Sequence, residues 1–121
     1  MTSISAYAKD QYELVKSSRQ ALLDYCKTIS DKDFIDQNTS FGRGGSIRNL
    51  LVHIINTYEY WIANIALKKN TSYSQYEKSE NVKDVISGFE QVDKFMNELI
   101  ENMENLEVIN YQSGDAKSTV N

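Results

Sequence analysis

The clearest hydrophobic pattern of this chain lies between Ser46 and Leu67. Apolar residues recur there at positions 47, 50, 51, 54, 55, 58, 61, 62 and 65, which is the spacing of one face of an α-helix. Ser46 is of a residue type that caps helix N-termini. The pattern therefore predicts a core-facing helix over residues 46–67, and it places Trp61 on the buried stripe.

A second amphipathic helix is predicted over residues 3–29, where apolar side chains recur at intervals near 3.5. Cys26 falls on its apolar stripe, which favours a buried structural thiol over a nucleophile. Ser18 and Arg19 interrupt the stripe, and two explanations are open. Either they make a polar contact inside the protein, or the buried face shifts along the helix.

A third helix is predicted from Asn81, a suitable N-cap with Asp84 three residues later, to Leu106. Its apolar positions approach a heptad seam. Gly88 within this helix is tolerable if packing holds it, and it indicates a point where another element approaches closely.

The connections between these helices are long and polar. Residues 30–45 begin with a predicted turn, continue with Phe34 and Ile35 as anchors to the core, and end in a glycine-rich entry turn at 41–45. Residues 70–80 are predicted to form a loop whose tyrosines, Tyr73 and Tyr76, fold back over the helices.

No stretch of the chain predicts a strand, so the expected fold is an all-α antiparallel bundle with three long helices in one domain, residues 1–121. In the tail, a turn is predicted at 112–117 and a helix start at 118–121. We therefore expect the bundle to be incomplete at its C-terminus. Two explanations are open, a portion of a longer protein, which we favour, or a natural short form.

Composition and charge exclude several classes of protein. The 121 residues are 40% hydrophobic and 25% charged, with a net charge of −4, which is typical of a globular domain without a basic nucleic-acid-binding face. No window is long and apolar enough to predict a membrane span, and the first residues do not predict a secretory signal. One cysteine excludes an internal disulfide, so a cytoplasmic location is expected.

The candidate chemistry centres on His53, the only histidine, which borders the apolar stripe of the 46–67 helix. Asn49, Thr57 and Tyr60 lie on the same flank of that helix and are predicted to line a pocket. The spacing alone allows two interpretations. His53 is either a border residue hydrogen-bonded to a neighbouring helix, or a metal ligand or acid/base group.

The segment from Ser46 to Ile54, with Glu59-Tyr60-Trp61-Ile62 after it, resembles the second-helix signature of the DinB-like family. The order of predicted elements extends the likeness over essentially the whole chain. The resemblance implies a four-helix bundle in which three histidines hold nickel or zinc, one of them matching His53. The other two belong to a His-x-x-x-His arrangement on the last helix, which this chain lacks.

Two functions follow as hypotheses. The resemblance implies a metal-dependent enzyme, such as a thiol-dependent transferase or a hydrolase, acting on a small-molecule substrate, with His53 as a metal ligand and no catalytic residue assigned. The alternative is a non-catalytic, metal-free helical module. In that module an exposed seam of the third helix forms a homodimer or binds a partner helix.

Overall fold

Helices account for all the regular structure in the described part of the chain. The computed structural model describes residues 3–39 and 45–120, and it describes residues 109–120 by their backbone alone. The predicted all-α class is confirmed, since no strand occurs among the described residues. None of these helices is both long and apolar enough to span a lipid bilayer. In chain order, the elements are α1 (Ile4–Cys26), α2 (Asp31–Phe34), α3 (Ile47–Tyr58), a π-helical segment (Glu59–Ala66), a 3-10 turn (Tyr76–Lys78) and α4 (Val82–Val120).

Side-chain caps fix where the long helices begin. The hydroxyl oxygen of Ser46 accepts a hydrogen bond from the backbone N–H of Asn49 at 2.9 Å. The side-chain oxygen of Asn81 accepts one from the backbone N–H of Asp84 at 3.1 Å. Both predicted N-caps are therefore confirmed. Each satisfies a backbone donor that the first helical turn leaves without a partner.

The prediction for the tail is wrong, because α4 continues through residues 112–117 to Val120 instead of turning. The segment contains one glycine, Gly114, and the chain contains no proline. A single glycine inside a helix costs about 1 kcal/mol against alanine, which lowers helix stability without ending the helix.

The connection from α1 to α3 is fixed to the core by α2. Ser30 caps α2, so the predicted turn is a short helix. Phe34 is fully buried and Ile35 packs against the core, which confirms both predicted anchors. The predicted glycine-rich entry turn lies outside the described residues except for Gly45. That glycine has a φ of +76°, a left-handed conformation that favours glycine.

Helices α1 and α4 run antiparallel. Near the start of α1, the backbone N–H and the hydroxyl of Ser5 donate to the carboxylate of Glu107 at 2.7 and 2.6 Å. Further along α1, Arg19 pairs with Asp93 at 2.7 Å. Residue numbers therefore rise along α1 as they fall along α4.

Helices α3 and α4, in contrast, run parallel. Ile55 contacts α4 at Gly88, and Lys69, just beyond the π-helical segment, pairs with Glu98 at 3.1 Å. Because residue numbers rise together, the chain must travel back along the length of α3 before α4 begins. Residues 68–81, here called the return segment, make that crossing.

The core lies where α1, α2 and α3 meet the first half of α4. Gly88 provides the predicted close approach, because Ile55 of α3 occupies the space that a larger side chain at position 88 would need. Cys26 is buried as predicted, and burial raises the pKa of its thiol. The buried cluster comprises Leu23, Cys26, Phe34, Leu51, Val52, Ile55, Val82, Val85, Phe89 and Val92.

The polar interruption of α1 is an interior contact. Arg19 donates to the carboxylate of Asp93 and, at 3.3 Å, to the hydroxyl of Tyr12, while its guanidinium lies 4.7 Å from the ring centre of Phe89. Tyr12 itself donates to Asp93 at 2.5 Å. Burial and this hydrogen bond raise the pKa of Tyr12. Of the two explanations for Ser18 and Arg19, the polar contact is therefore correct for Arg19.

Candidate functional site

His53 lies half-buried on the flank of α3, beside the core-facing stripe. It lines a shallow cavity of about 300 Å³. Among the described residues, no group forms a hydrogen bond with its imidazole. The Thr57 hydroxyl donates to the His53 backbone carbonyl at 2.9 Å and not to the imidazole. Within the described part of the chain, the predicted hydrogen bond to a neighbouring helix is therefore not formed.

Three of the four residues predicted for a site on this flank border the same cavity. Thr57 and Tyr60 line it together with His53. Asn49 does not. It is buried near the start of α3, where its side-chain oxygen accepts a hydrogen bond from Arg48 at 2.6 Å.

Two aromatic residues line the cavity that the sequence did not assign to it. Tyr73 comes from the return segment, and Trp61 comes from the π-helical segment. The prediction that Trp61 is a core residue is wrong, because 59% of its surface is exposed. Its ring packs against Tyr60 edge to face, with 4.9 Å between ring centres.

The π-helical segment explains why Trp61 faces out. A π-helix closes its hydrogen bonds five residues back, as Leu67 does with Ile62, so each residue advances less around the axis than in an α-helix. Extrapolating a 3.6-residue period past Tyr58 therefore assigns the wrong faces. Ala63, and not Trp61, points into the core and is fully buried.

Two asparagines, one in α3 and one in the π-helical segment, hold the return segment in place and so complete the cavity wall. The Asn56 amide donates to the Ser74 carbonyl at 3.1 Å and accepts from the Ser74 N–H at 2.9 Å. The Asn64 amide pairs in the same way with Thr71, at 3.2 and 2.8 Å. Each amide thus makes the two backbone hydrogen bonds that a neighbouring strand would otherwise make with this irregular segment.

The π-helical geometry is what aligns these two asparagines. In a continuous α-helix, residues eight apart differ by about 80° around the axis. The slower angular advance beyond residue 58 reduces that difference, so Asn56 and Asn64 both face the return segment. The sequence signal for this pairing was the uncharged polar flank of the predicted 46–67 helix. Spacing alone could not show that the return segment packs against that flank.

Glu59 is the buried carboxylate nearest to this wall. Only 6% of its surface is exposed, and one of its oxygens, Oε2, has no hydrogen-bond partner among the described residues. The other oxygen accepts from the Ser74 hydroxyl at 3.3 Å. Burial raises the pKa of Glu59, and the hydrogen bonds from Ser74 offset part of that effect.

The groups around His53 do not form a ligand set for nickel or zinc. Such sites use three or four imidazole, thiolate or carboxylate ligands. Besides one imidazole, the cavity offers an amide that is already paired, a hydroxyl, two phenols and an indole. The described residues contain no cluster of three or more histidine, cysteine, aspartate or glutamate side chains placed to hold a metal. Glu59 does not line this cavity.

A second surface feature lies on α1. On a helical wheel, six of its large apolar side chains fall within about 50° of one direction, and that direction is about 100° away from the core-facing side. All six are 42 to 72% exposed. We call this set the outer stripe of α1, and it comprises Ile4, Tyr7, Leu14, Val15, Leu22 and Tyr25.

The predicted exposed seam on the third helix is not present along the first half of α4. There Val85, Phe89 and Val92 are buried in the core because α1 and α3 both pack on this part of α4. Exposed apolar side chains of α4 appear only later, at Leu106 and Val108. A longer run of exposed apolar side chains lies on α1, as the outer stripe.

Comparison with known proteins identifies one family. The family model described as the DinB family matches residues 4–120, nearly the whole chain. No curated protein and no solved structure matches the chain.

Proposed function

This chain belongs to the DinB family, and from that premise we propose that it is a metal-independent member that works as a self-associating helical module. The observation that carries the proposal is the outer stripe of α1. We further propose that the module forms a homodimer through this stripe and works in the cytoplasm, where its buried cysteine would stay reduced.

The exposure of the stripe supports association because large contiguous apolar patches on soluble proteins mark interaction surfaces. Isolated exposed apolar residues are ordinary, but these six follow one another along a single helix face. Removing apolar surface from water contributes roughly 25 cal/mol per Å². Burial of this face against a partner would therefore stabilise the complex.

The donor chemistry around His53 supports metal independence. A catalytic zinc or nickel site needs further ligands beside the imidazole, and the described residues do not supply them at the cavity. The alternative function, a metal-dependent transferase or hydrolase of a small molecule, rests on family membership and on the position of His53. It requires ligands beyond those that surround His53 in the described part of the chain.

The self-association proposal is tested by measuring the mass of the purified chain in solution by sedimentation. We expect a dimer. Leu14→Glu, which places a carboxylate in the middle of the outer stripe, should give a monomer with unchanged helicity, since Leu14 is 63% exposed. Ser17→Glu is the matched control, because Ser17 is exposed on α1 outside the stripe. A parent chain that sediments as a monomer would contradict the proposal.

Metal independence is tested separately by elemental analysis of the parent chain and of His53→Ala. We expect no stoichiometric nickel or zinc in either, and equal thermal stability with and without added metal. Stoichiometric metal in the parent that is lost in His53→Ala would favour the metalloenzyme instead.

A further inference from the structure

We propose that two copies of this chain pair through α1 in an antiparallel arrangement, with a two-fold axis passing between Leu14 and Val15. This inference rests on the proposed self-association and specifies its geometry. In this arrangement, the outer stripe of one copy packs against the outer stripe of a second copy.

The outer stripe is symmetric about its own midpoint. Residues at equal distances on either side of the point between positions 14 and 15 are of the same chemical kind. The apolar members pair as Ile4 with Tyr25, Tyr7 with Leu22, and Leu14 with Val15. The two polar residues that fall within the stripe, Gln11 and Ser18, also pair with each other. A two-fold axis brings each residue of such a pattern opposite its counterpart in the second copy.

The antiparallel direction gives better packing than a parallel one. In an antiparallel pair, each tyrosine of the stripe meets an aliphatic side chain, since Tyr7 faces Leu22 and Tyr25 faces Ile4. In a parallel pair, each tyrosine would face the same tyrosine of the second copy. Layers of two tyrosines would then alternate with layers of two smaller aliphatic side chains. Large residues opposite small ones fill an interface evenly. Antiparallel α1 helices also bring opposite ends of their helix dipoles together.

The polar pair at positions 11 and 18 fits the same arrangement. In the antiparallel register the amide of Gln11 lies level with the hydroxyl of Ser18 from the second copy, so each polar group has a partner inside the seam. A shift by one helical turn would place these groups against apolar side chains. Buried polar groups without partners cost free energy, so this pair favours one register over its neighbours.

The stripe is large enough to contribute most of a dimer interface. Aromatic side chains bury roughly 150–250 Å² each and aliphatic ones less, so the exposed fractions of the six apolar side chains amount to on the order of 600 Å² per copy. A standard stable interface buries about 800 Å² per partner.

The charges of α1 do not oppose this pairing. Lys9, Glu13 and Asp24 lie more than about 100° around the helix from the centre of the stripe, and Asp10 lies about 90° from it, so these ionised groups fall at or beyond the edge of the seam. Arg19 is already paired with Asp93 in the interior. Charge burial, which would cost several kcal/mol per ion, is thereby avoided.

Disulfide trapping tests the register. Gln11→Cys and Ser18→Cys, each made in the otherwise unchanged chain, are purified, mixed and mildly oxidised. We expect a covalent dimer in the mixture and none in either variant alone. In the proposed register, two copies of position 11 are separated by about 10 Å along the helix, at ~1.5 Å per residue. A disulfide needs Cβ atoms about 3.5–4.5 Å apart.

Ser17→Cys is the matched control, since it places the same thiol one residue away on another face of α1. Mixing it with Gln11→Cys should give no covalent dimer, and the parent chain should give none because Cys26 is buried. If the parent sediments as a dimer but the Gln11→Cys and Ser18→Cys mixture does not cross-link, the register is wrong and self-association stands. If the parent is a monomer, both proposals fail, and the stripe belongs to a different partner.

Discussion

Gly88 of α4 lies against the side chain of Ile55 of α3, so closely that a Cβ on Gly88 would come within 2.6 Å of the Ile55 Cδ1 atom. Helix propensity favours alanine over glycine by about 1 kcal/mol, whereas overpacking a core costs about 1–3 kcal/mol. Because Ile55 is almost fully buried, its terminal carbon has little room to move. We therefore expect Gly88→Ala to lower the free energy of unfolding by about 1 kcal/mol.

A double-mutant cycle isolates this contact. Ile55→Val removes the Cδ1 atom and should alone cost about 0.5–1.5 kcal/mol. In the Gly88→Ala background the same change should cost less, because it also relieves the clash. Urea denaturation of the four proteins measures the coupling, and strictly additive effects would show that the two helices separate instead of clashing.

Asn56 and Asn64 should control separate parts of the return segment. Asn56→Ala removes two hydrogen bonds to Ser74, each worth about 1 kcal/mol net. We expect faster amide hydrogen exchange at Ser74 with little change at Thr71. Asn64→Ala is the matched variant and should give the opposite pattern. Equal acceleration at both amides in either variant would mean that the segment opens as one unit.

Trp61 should behave as a surface residue. Its substitution by alanine is expected to cost less than about 1 kcal/mol, because it is 59% exposed, whereas Phe34→Ala should cost about 3–5 kcal/mol. Trp61 is the only tryptophan, so its fluorescence reports directly on its surroundings. Emission at long wavelength and efficient quenching by iodide are expected, and a blue-shifted, unquenched spectrum would place it in a core or an interface.

Glu59 should make stability depend on pH. Burial raises its pKa in the folded protein above the unfolded value, so folding favours the protonated form and ionisation lowers stability. Glu59→Gln cannot ionise and should have the higher Tm at pH 7. That advantage should shrink as the pH falls through the folded-state pKa and vanish below the unfolded value of about 4.3. Glu77→Gln, the same substitution at an exposed position, is the matched control.

Lys68, two residues after the π-helical segment, has a φ of +56°, a left-handed conformation that costs a non-glycine residue about 1–2 kcal/mol. Lys68→Gly should therefore raise the free energy of unfolding by about 0.5–1 kcal/mol, measured by urea denaturation. Lys69→Gly is the control and should lower it, because Lys69 does not have a positive φ and pairs with Glu98. A loss of stability in Lys68→Gly would show that the Lys68 side chain contributes more to the free energy of unfolding than the left-handed backbone costs.

The sequence by itself determined the helices, their caps and the family. Periodicity sufficed for α1, α3 and the first half of α4 because each buries one face, and burial of one face imposes a 3.6-residue repeat on apolar residues. Ser46 and Asn81 identified helix starts because a cap depends on a residue and its next three neighbours. Gly88 was recognisable as a contact point because glycine lacks a side chain.

Only the tertiary structure decided which element each helix face packs against. The helix changes to π-helical geometry at Glu59, which local periodicity did not predict, and Trp61 therefore lies on the surface and not in the predicted core. The parallel course of α3 and α4, the pairing of Asn56 with Ser74, and the burial of the α4 seam all join residues distant in sequence. Local pattern carries no information about such contacts, and for that reason it predicted an exposed seam on α4, whose first half is buried, and did not predict the outer stripe of α1.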